Sequence, residues 1–273
     1  MQRFSLPPHV EPRLFAAGHR QALERMVWWP SDAERLDALD PALAPFLLSF
    51  NRANCLAYDG LPTPGANSAA LGMPRWVFLD CCLLPSLVFG LSVPRDVVPR
   101  SLADLLDPEG TCQALGVAEY IALPSLEPGV FIGVSLFSMV EGRRWGARIK
   151  ATALRALGAQ TLIGITQVDR PALRLHLHFG ALHVMAAPVP VHGLPDTTIV
   201  YRTDLDPSQI EALSQGEVRA RSYPDPDFTF SPQSADERTR WLAAMHARPA
   251  AIVSAAARPD GAPERLGGVW VEP

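Results

Sequence analysis

The chain has 273 residues, is 48% hydrophobic and 19% charged, and carries a formal net charge of -4. That length buries a sizeable core, and a negative balance argues against nucleic acid as a partner. The longest apolar stretch, Trp76 to Val93, is broken by Asp80, Pro85 and Gly90. It reads as two buried strands rather than a membrane span, so no membrane partner is expected.

The four cysteines, Cys55, Cys81, Cys82 and Cys112, include no C-x-x-C pair. The spacing gives no zinc pattern, and the expectation is no metal and small buried hydrophobes in a reducing cytosol. Met1 to Val10 lacks the apolar core of a signal peptide, which fits a cytoplasmic location. Arg far outnumbers Lys, and Lys150 is the single lysine. With abundant Ala and Pro, this reads as base-composition bias.

In chain order, Glu11 to Met26 has helical apolar spacing. Ser31 with Glu34 forms a capping box, and Asp40-Pro41 reads as the N-cap and first residue of a helix ending near Phe50. Trp28-Trp29 and Trp76 read as core, or else as the wall of an acceptor pocket. Asp59 to Gly72 is a loop, followed by strands at Trp76–Leu84 and Leu87–Val93 and a short helix at Leu102–Leu106. Ala118–Leu123 and Val130–Val140 are strands, the second rich in β-branched and aromatic residues.

Trp145, Ile149, Ala153, Ala156 and Leu157 then share one helical face, and Gly158 stands where a C′ glycine belongs. Thr161–Val168 is a strand, Pro171–Phe179 a short helix, and Ala181–Val191 and Thr197–Thr203 are strands. Ser234 with Glu237 caps a helix to about Ala247, and Pro249 to Pro273 reads as a loose tail.

Gly142-Arg143-Arg144-Trp145-Gly146-Ala147 joins a strand to a helix. The first N–H groups of a helix have no partner inside it and attract anions, and arginines suit phosphate. The bland alternative is a plain turn with surface arginines. Asp80, between apolar runs, must be paired or protonated if buried. Glu119 sits in a strand and Glu141 in a turn, and burial would raise the pKa of a carboxyl toward use as a base. Tyr201 reads as a packed strand aromatic. His176, His178 and His183 do not form a metal cluster, since the first two lie about 200° apart on a helix.

Residues 118–204 resemble the GNAT-type acyl-CoA N-acyltransferases. Their R/Q-x-x-G-x-G/A loop is matched at Arg143 and Gly146, with Arg144 and Arg148 where small residues are usual. A second block, Gln167 to Ala172 and Leu175 to Ala181, resembles the family's later strand–helix–strand segment. Asp169 replaces an asparagine, His176 the family's tyrosine, and Gly180 matches.

The resemblance implies an α/β (α+β) fold with a mixed, mostly antiparallel central sheet flanked by helices. Within it, Val130–Val140 and Thr161–Val168 are adjacent parallel strands. It further implies acetyl-CoA or another acyl-CoA as co-substrate and a small-molecule amine as acceptor, with a homodimer as a candidate assembly. The cofactor-binding set is Phe137, Ser138, Met139, Arg143, Arg144, Gly146, Ala147 and Asp169; His176 is catalytic by the resemblance, and Glu119 joins it as the candidate base read from its place in a strand. Residues 1–117 would extend the sheet and hold the acceptor site, 118–204 the acyl-CoA core, and 205–273 C-terminal helices. Arg148 and the missing tyrosine equally suit a binding protein that has lost catalysis. A transferase fed by an acyl carrier protein, whose acidic surface would meet Arg143, Arg144 and Arg148, is the third reading.

Overall fold

The computed structural model describes residues 3–17, 44–58, 88–185, 197–219, 223 and 225–272. The chain divides into two compact units, residues 1–123 with 134–157, and residues 124–133 with 158–273. The fold is mixed α/β, with ten mostly antiparallel strands among the described residues, flanked by helices. The Ser31–Glu34 capping box, the Asp59–Gly72 loop and the Trp76–Leu84 strand lie outside the described residues. So do Trp28-Trp29, Asp80, Cys81 and Cys82.

The first unit contains β1 (Arg13–Ala17), α1 (Ala44–Tyr58), β2 (Val88–Pro94), α2 (Arg100–Leu106), most of β3 (Ala114–Pro124), the end of β4 (Val130–Ser138) and α3 (Trp145–Leu157). Its strand order is β1-β2-β3-β4, and β1–β2 and β2–β3 are antiparallel. Arg13–Ala17 is therefore a strand and not part of a helix. Pairing with β2 and the packing of Phe15 against Phe46 and Phe50, at 5.2 and 5.5 Å between ring centroids, override the local helical spacing. Helix α1 runs on to Tyr58, beyond the stop expected near Phe50.

The ring of Phe50 explains how α1 packs so closely on its sheet. A Cβ built at Gly90 of β2 or at Gly116 of β3 would overlap that ring. Glycine at both positions leaves a slot two strands wide, and Phe50 fills it with no exposed surface.

Helix α3 has the predicted bounds. Ile149, Ala153, Leu154 and Leu157 are buried, and Gly158 follows at φ 63°, the left-handed value a C′ glycine supplies.

The second unit contains the start of β4, then β5 (Thr161–Gln167), α4 (Ala172–Leu177), β6 (Leu182–Val184), β7 (Thr198–Asp204), α5 (Pro207–Ser214), β8 (Phe228–Phe230), α6 (Ala235–Ala247), β9 (Ala250–Ala257) and β10 (Pro263–Trp270). Its order is β4-β5-β7-β6-β9-β10-β8. The expected parallel pair is present, with Val130, Phe131 and Ile132 opposite Thr161, Leu162 and Ile163. The pairs β5–β7, β7–β6, β6–β9, β9–β10 and β10–β8 are antiparallel.

The C-terminal segment corrects the sequence reading, because Pro249 onward is not a loose tail. Strand β9 pairs with both β6 and β10, and Ala250, Ile252 and Leu266 are buried in the core of this unit. The Ser234 cap is as expected, its hydroxyl accepting from the Glu237 N–H.

Phe50→Ala should cost about 3–5 kcal/mol of stability, the range for emptying a buried aromatic site. Chemical denaturation of the two proteins side by side checks it. A loss under 1 kcal/mol would mean that the slot over Gly90 and Gly116 closes by itself.

Candidate functional site

The first unit holds most of the predicted cofactor-binding set. Strand β4 ends at Ser138, and Phe4 forms a parallel bridge with Val140. The Phe4 N–H donates to the Met139 carbonyl at 3.0 Å, and the Glu141 N–H donates to the Phe4 carbonyl at 2.9 Å. Gly142, Arg143 and Arg144 then take φ values of 72°, 46° and 52°. Such values are ordinary for glycine and uncommon for arginine.

Helix α3 starts directly afterwards. The Arg148 N–H donates to the Arg144 carbonyl at 3.0 Å, so helix geometry leaves the N–H groups of Trp145, Gly146 and Ala147 without a partner inside the helix. Trp145 and Ala147 are buried, while Arg143 and Arg144 are exposed. The Arg143 guanidinium donates to Glu11 at 2.8 Å and to the Pro8 carbonyl at 3.1 Å. Arg148 lies over the Trp145 ring, 4.3 Å from its centroid. The N-terminal segment that braces this turn carried no motif by which sequence reasoning would find it.

Along β4 the backbone alternates. The Met139 N–H donates to Val117 of β3 at 2.9 Å. Residues on a strand direct successive N–H groups to opposite edges, so Ser138 directs its own away from β3. Phe137 and Ser138 close β4, and Met139 follows it. The Ser138 hydroxyl bonds locally to Val140, accepting its N–H at 3.3 Å and donating to its carbonyl at 3.0 Å.

Glu119 lies on β3 with no exposed surface. Its Oε1 accepts from the Asn54 side chain at 2.7 Å, and the same amide nitrogen donates to the Ser135 hydroxyl at 2.7 Å. Its Oε2 is buried without a hydrogen-bond partner. Burial, only partly offset by these hydrogen bonds, pushes its pKa up to about 8. At neutral pH Glu119 is therefore a neutral acid. Lys150, on the buried face of α3, is pushed the other way, down to about 7, again by burial.

The second unit holds Asp169 and His176. Asp169 sits in the turn after β5, half-buried, its Oδ1 3.9 Å from the Arg170 Nε and its carbonyl accepting from Gln233 at 3.1 Å. His176 is half-buried on α4, and its Nδ1 lies 2.8 Å from the hydroxyl of Tyr201. Tyr201 is buried on β7, packed as expected, and its pairing with His176 is not legible from local spacing. Among the described residues, no group of His, Cys, Asp and Glu is placed to hold a metal, and no helix is long and apolar enough to cross a membrane.

No protein-family model and no curated protein matches the sequence. Among solved structures, the chain is similar to a GCN5-related N-acetyltransferase from Brucella melitensis. The identity is 15%, over 79% of this chain and 84% of that one, with a TM-score of 0.34. It is also similar to BjaI, a CoA-dependent acyl-homoserine lactone synthase whose structure was solved with MTA. There the identity is 13%, over 86% of this chain and 99% of that one, with a TM-score of 0.37. Likenesses this distant fix neither a fold family nor a reaction, and the functional reading rests on the chain's own residues.

The two buried ionisable groups make stability depend on pH in opposite directions. Between about pH 4.5 and 8 the folded state keeps a proton on Glu119 that the unfolded chain releases, so stability falls as pH rises through that window. Between about pH 7 and 10.5 the unfolded chain keeps a proton that folded Lys150 has lost, so stability rises with pH. Each slope approaches about 1.4 kcal/mol per pH unit. Denaturant titrations across pH should show that Glu119→Gln removes the fall on the acid side and Lys150→Met the rise on the alkaline side. Slopes unchanged by both substitutions would show that neither group is buried as described.

Proposed function

We propose that the chain binds an acyl-CoA at the turn between β4 and α3 and transfers the acyl group to a small-molecule amine. The observation that carries this reading is the backbone of that turn. Two arginines are held at positive φ directly before a buried tryptophan that opens a 13-residue helix. Strain of this kind persists where the surroundings impose it, and it clusters at ligand sites.

In this reading the N–H groups of Trp145, Gly146 and Ala147 take the pyrophosphate oxygens, and Arg143 and Arg144 add positive charge. Arg143 exchanges its exposed pairing with Glu11 for the ligand, at small cost because exposed ion pairs contribute only about 0–1 kcal/mol. The Ser138 N–H takes the thioester carbonyl and polarises it for attack. The departing thiolate needs a proton, the role that the resemblance gives His176. Glu119 is ionised, as a base must be, only toward pH 8 and above. Below that, the reaction draws on the fraction of acceptor that arrives as free amine.

A binding protein without catalysis is the second reading. It is favoured by Arg148, whose side chain lies over Trp145 at a position where the resemblance calls for a small residue.

Calorimetry with acetyl-CoA is the test. The wild type should bind, and the Arg143→Ala/Arg144→Ala double variant should lose about 1.5–3 kcal/mol per charged hydrogen bond removed. Thiol release from acetyl-CoA with a panel of small primary amines then separates the two readings. Binding without release favours the second, and no binding by the wild type removes acyl transfer from acetyl-CoA and likewise favours the second.

A further inference from the structure

We propose that Arg148 lets this site tell an acyl-CoA from an acyl group held on a carrier protein, by taking the second phosphate of the CoA diphosphate; this rests on the acyl-CoA reading above. Trp145, Arg148 and the turn before them all belong to the first unit.

Trp145 and Arg148 are three residues apart in α3, so they are neighbours on one face of the helix. Long side chains on a helix lean toward its N-terminus. The Arg148 guanidinium accordingly comes back over the first turn and lies on the Trp145 ring, 4.3 Å from the centroid. That ring is buried and fixes where the guanidinium rests. An indole face attracts a cation without neutralising it. Arg148 therefore brings its full charge to a turn whose N–H groups lack partners inside the helix.

The arginines of this segment are not equivalent. Arg143 is exposed, and its charge is met by Glu11 at 2.8 Å. Arg148 is half-buried, and among the described residues its guanidinium has no hydrogen bond and no ion pair. Its Nε is buried without an acceptor. A cation partly withdrawn from water and left without an acid is unfavourable unless an anion meets it. Two positive groups thus stand side by side at the start of α3, the open backbone N–H groups and the Arg148 guanidinium. A single phosphate satisfies one of them, and two phosphates in tandem satisfy both.

This difference separates the two kinds of acyl donor. A carrier protein presents its acyl arm through one phosphodiester, whereas CoA carries a diphosphate. Burial points the same way. The acidic face of a carrier protein would meet arginines that stand out in solvent, as Arg143 does. Arg148, half-buried on Trp145, suits an anion small enough to enter the turn. The bulk at position 148, where the resemblance calls for a small residue, is then a phosphate contact and not an obstruction.

The test is calorimetry on the full-length protein at neutral pH and low salt, where charge contributes most. The probes are acetyl-CoA, ADP and acetyl-phosphopantetheine. ADP has the diphosphate without the acyl arm, and acetyl-phosphopantetheine has the arm with a single phosphate. Arg148→Met should weaken acetyl-CoA and ADP by about 10–100-fold, the worth of one charged hydrogen bond, and the single-phosphate thioester by less than about threefold. Arg148→Lys, which keeps the charge but not the flat guanidinium, should fall between the two. Melting temperatures of the unliganded variants check that the fold is kept.

Equal losses for all three probes would reduce Arg148 to general charge and overturn the proposal. So would unchanged binding of every probe, or tighter binding of acetyl-CoA by Arg148→Met, the mark of an obstruction. An acetyl-loaded acyl carrier protein that binds the wild type more tightly than acetyl-CoA does would overturn it as well. Wild type that binds ADP through Arg148 but does not bind acetyl-CoA would sink the acyl-CoA reading and leave the diphosphate contact standing. Acetyl-CoA bound with no dependence on Arg148 would do the reverse.

Discussion

A side chain with a Cβ pays about 1–2 kcal/mol to enter the left-handed region, and two successive arginines do so after Gly142. The first unit compensates from three sides. Phe4 bridges the strand end at Val140, Glu11 and the Pro8 carbonyl hold Arg143, and Trp145 is buried at the first position of α3. The chain thereby reverses from β4 into α3 over the six residues 139–144. The apolar stripe of α3, Ile149, Ala153 and Leu157, meets the core in the register that burial requires. The same reversal leaves the opening N–H groups of α3 beside two exposed arginines. Packing demand and the proposed anion site thus come from one piece of backbone.

Glycines facing aromatic rings appear in both units. In the first, Gly90 and Gly116 admit Phe50 to the face of the sheet; in the second, Gly164 admits Tyr201. The two slots serve different ends. Phe50 has only apolar contacts to offer, and its slot fixes α1. Tyr201 carries a hydroxyl across β5, where it can orient an imidazole. Within the first unit the polar trio of Asn54, Glu119 and Ser135 is the counterpart, a satisfied amide holding a carboxyl that burial keeps protonated.

Elements with a strong local pattern were legible in the sequence. The stripe of α3 with its terminal Gly158, the β-branched run of β4 and the parallel β4–β5 pair are where the residues placed them, except that Ala156, expected on the stripe, is exposed. Patterns that tertiary contacts overrule were not. Arg13–Ala17 has helical spacing but pairs with β2, and the Ala-rich β9 has weak strand propensity but is held between β6 and β10. Helix α5 carries a local signal as well, Asp206 accepting from the Ser208 N–H with Pro207 at the first helical position. In the candidate site, the turn and its arginines were readable because they are contiguous. The His176–Tyr201 pair was not, since the two lie 25 residues apart and only the register of β5 with β7 shows that Gly164 makes room for the phenol. The buried environment of Glu119 depends on Asn54, 65 residues away, which no local spacing reveals.

The central claim is that the start of α3 receives a pyrophosphate, and the backbone amides themselves report on it most directly. CoA should be titrated into ¹⁵N-labelled protein while the amide resonances are followed. The account predicts that Gly146 and Ala147 shift progressively and saturate together, as N–H groups do when they gain an anionic acceptor. Amides of Trp145 to Ala147 that stay in place at millimolar CoA, or that stay in place while resonances elsewhere saturate, would contradict it.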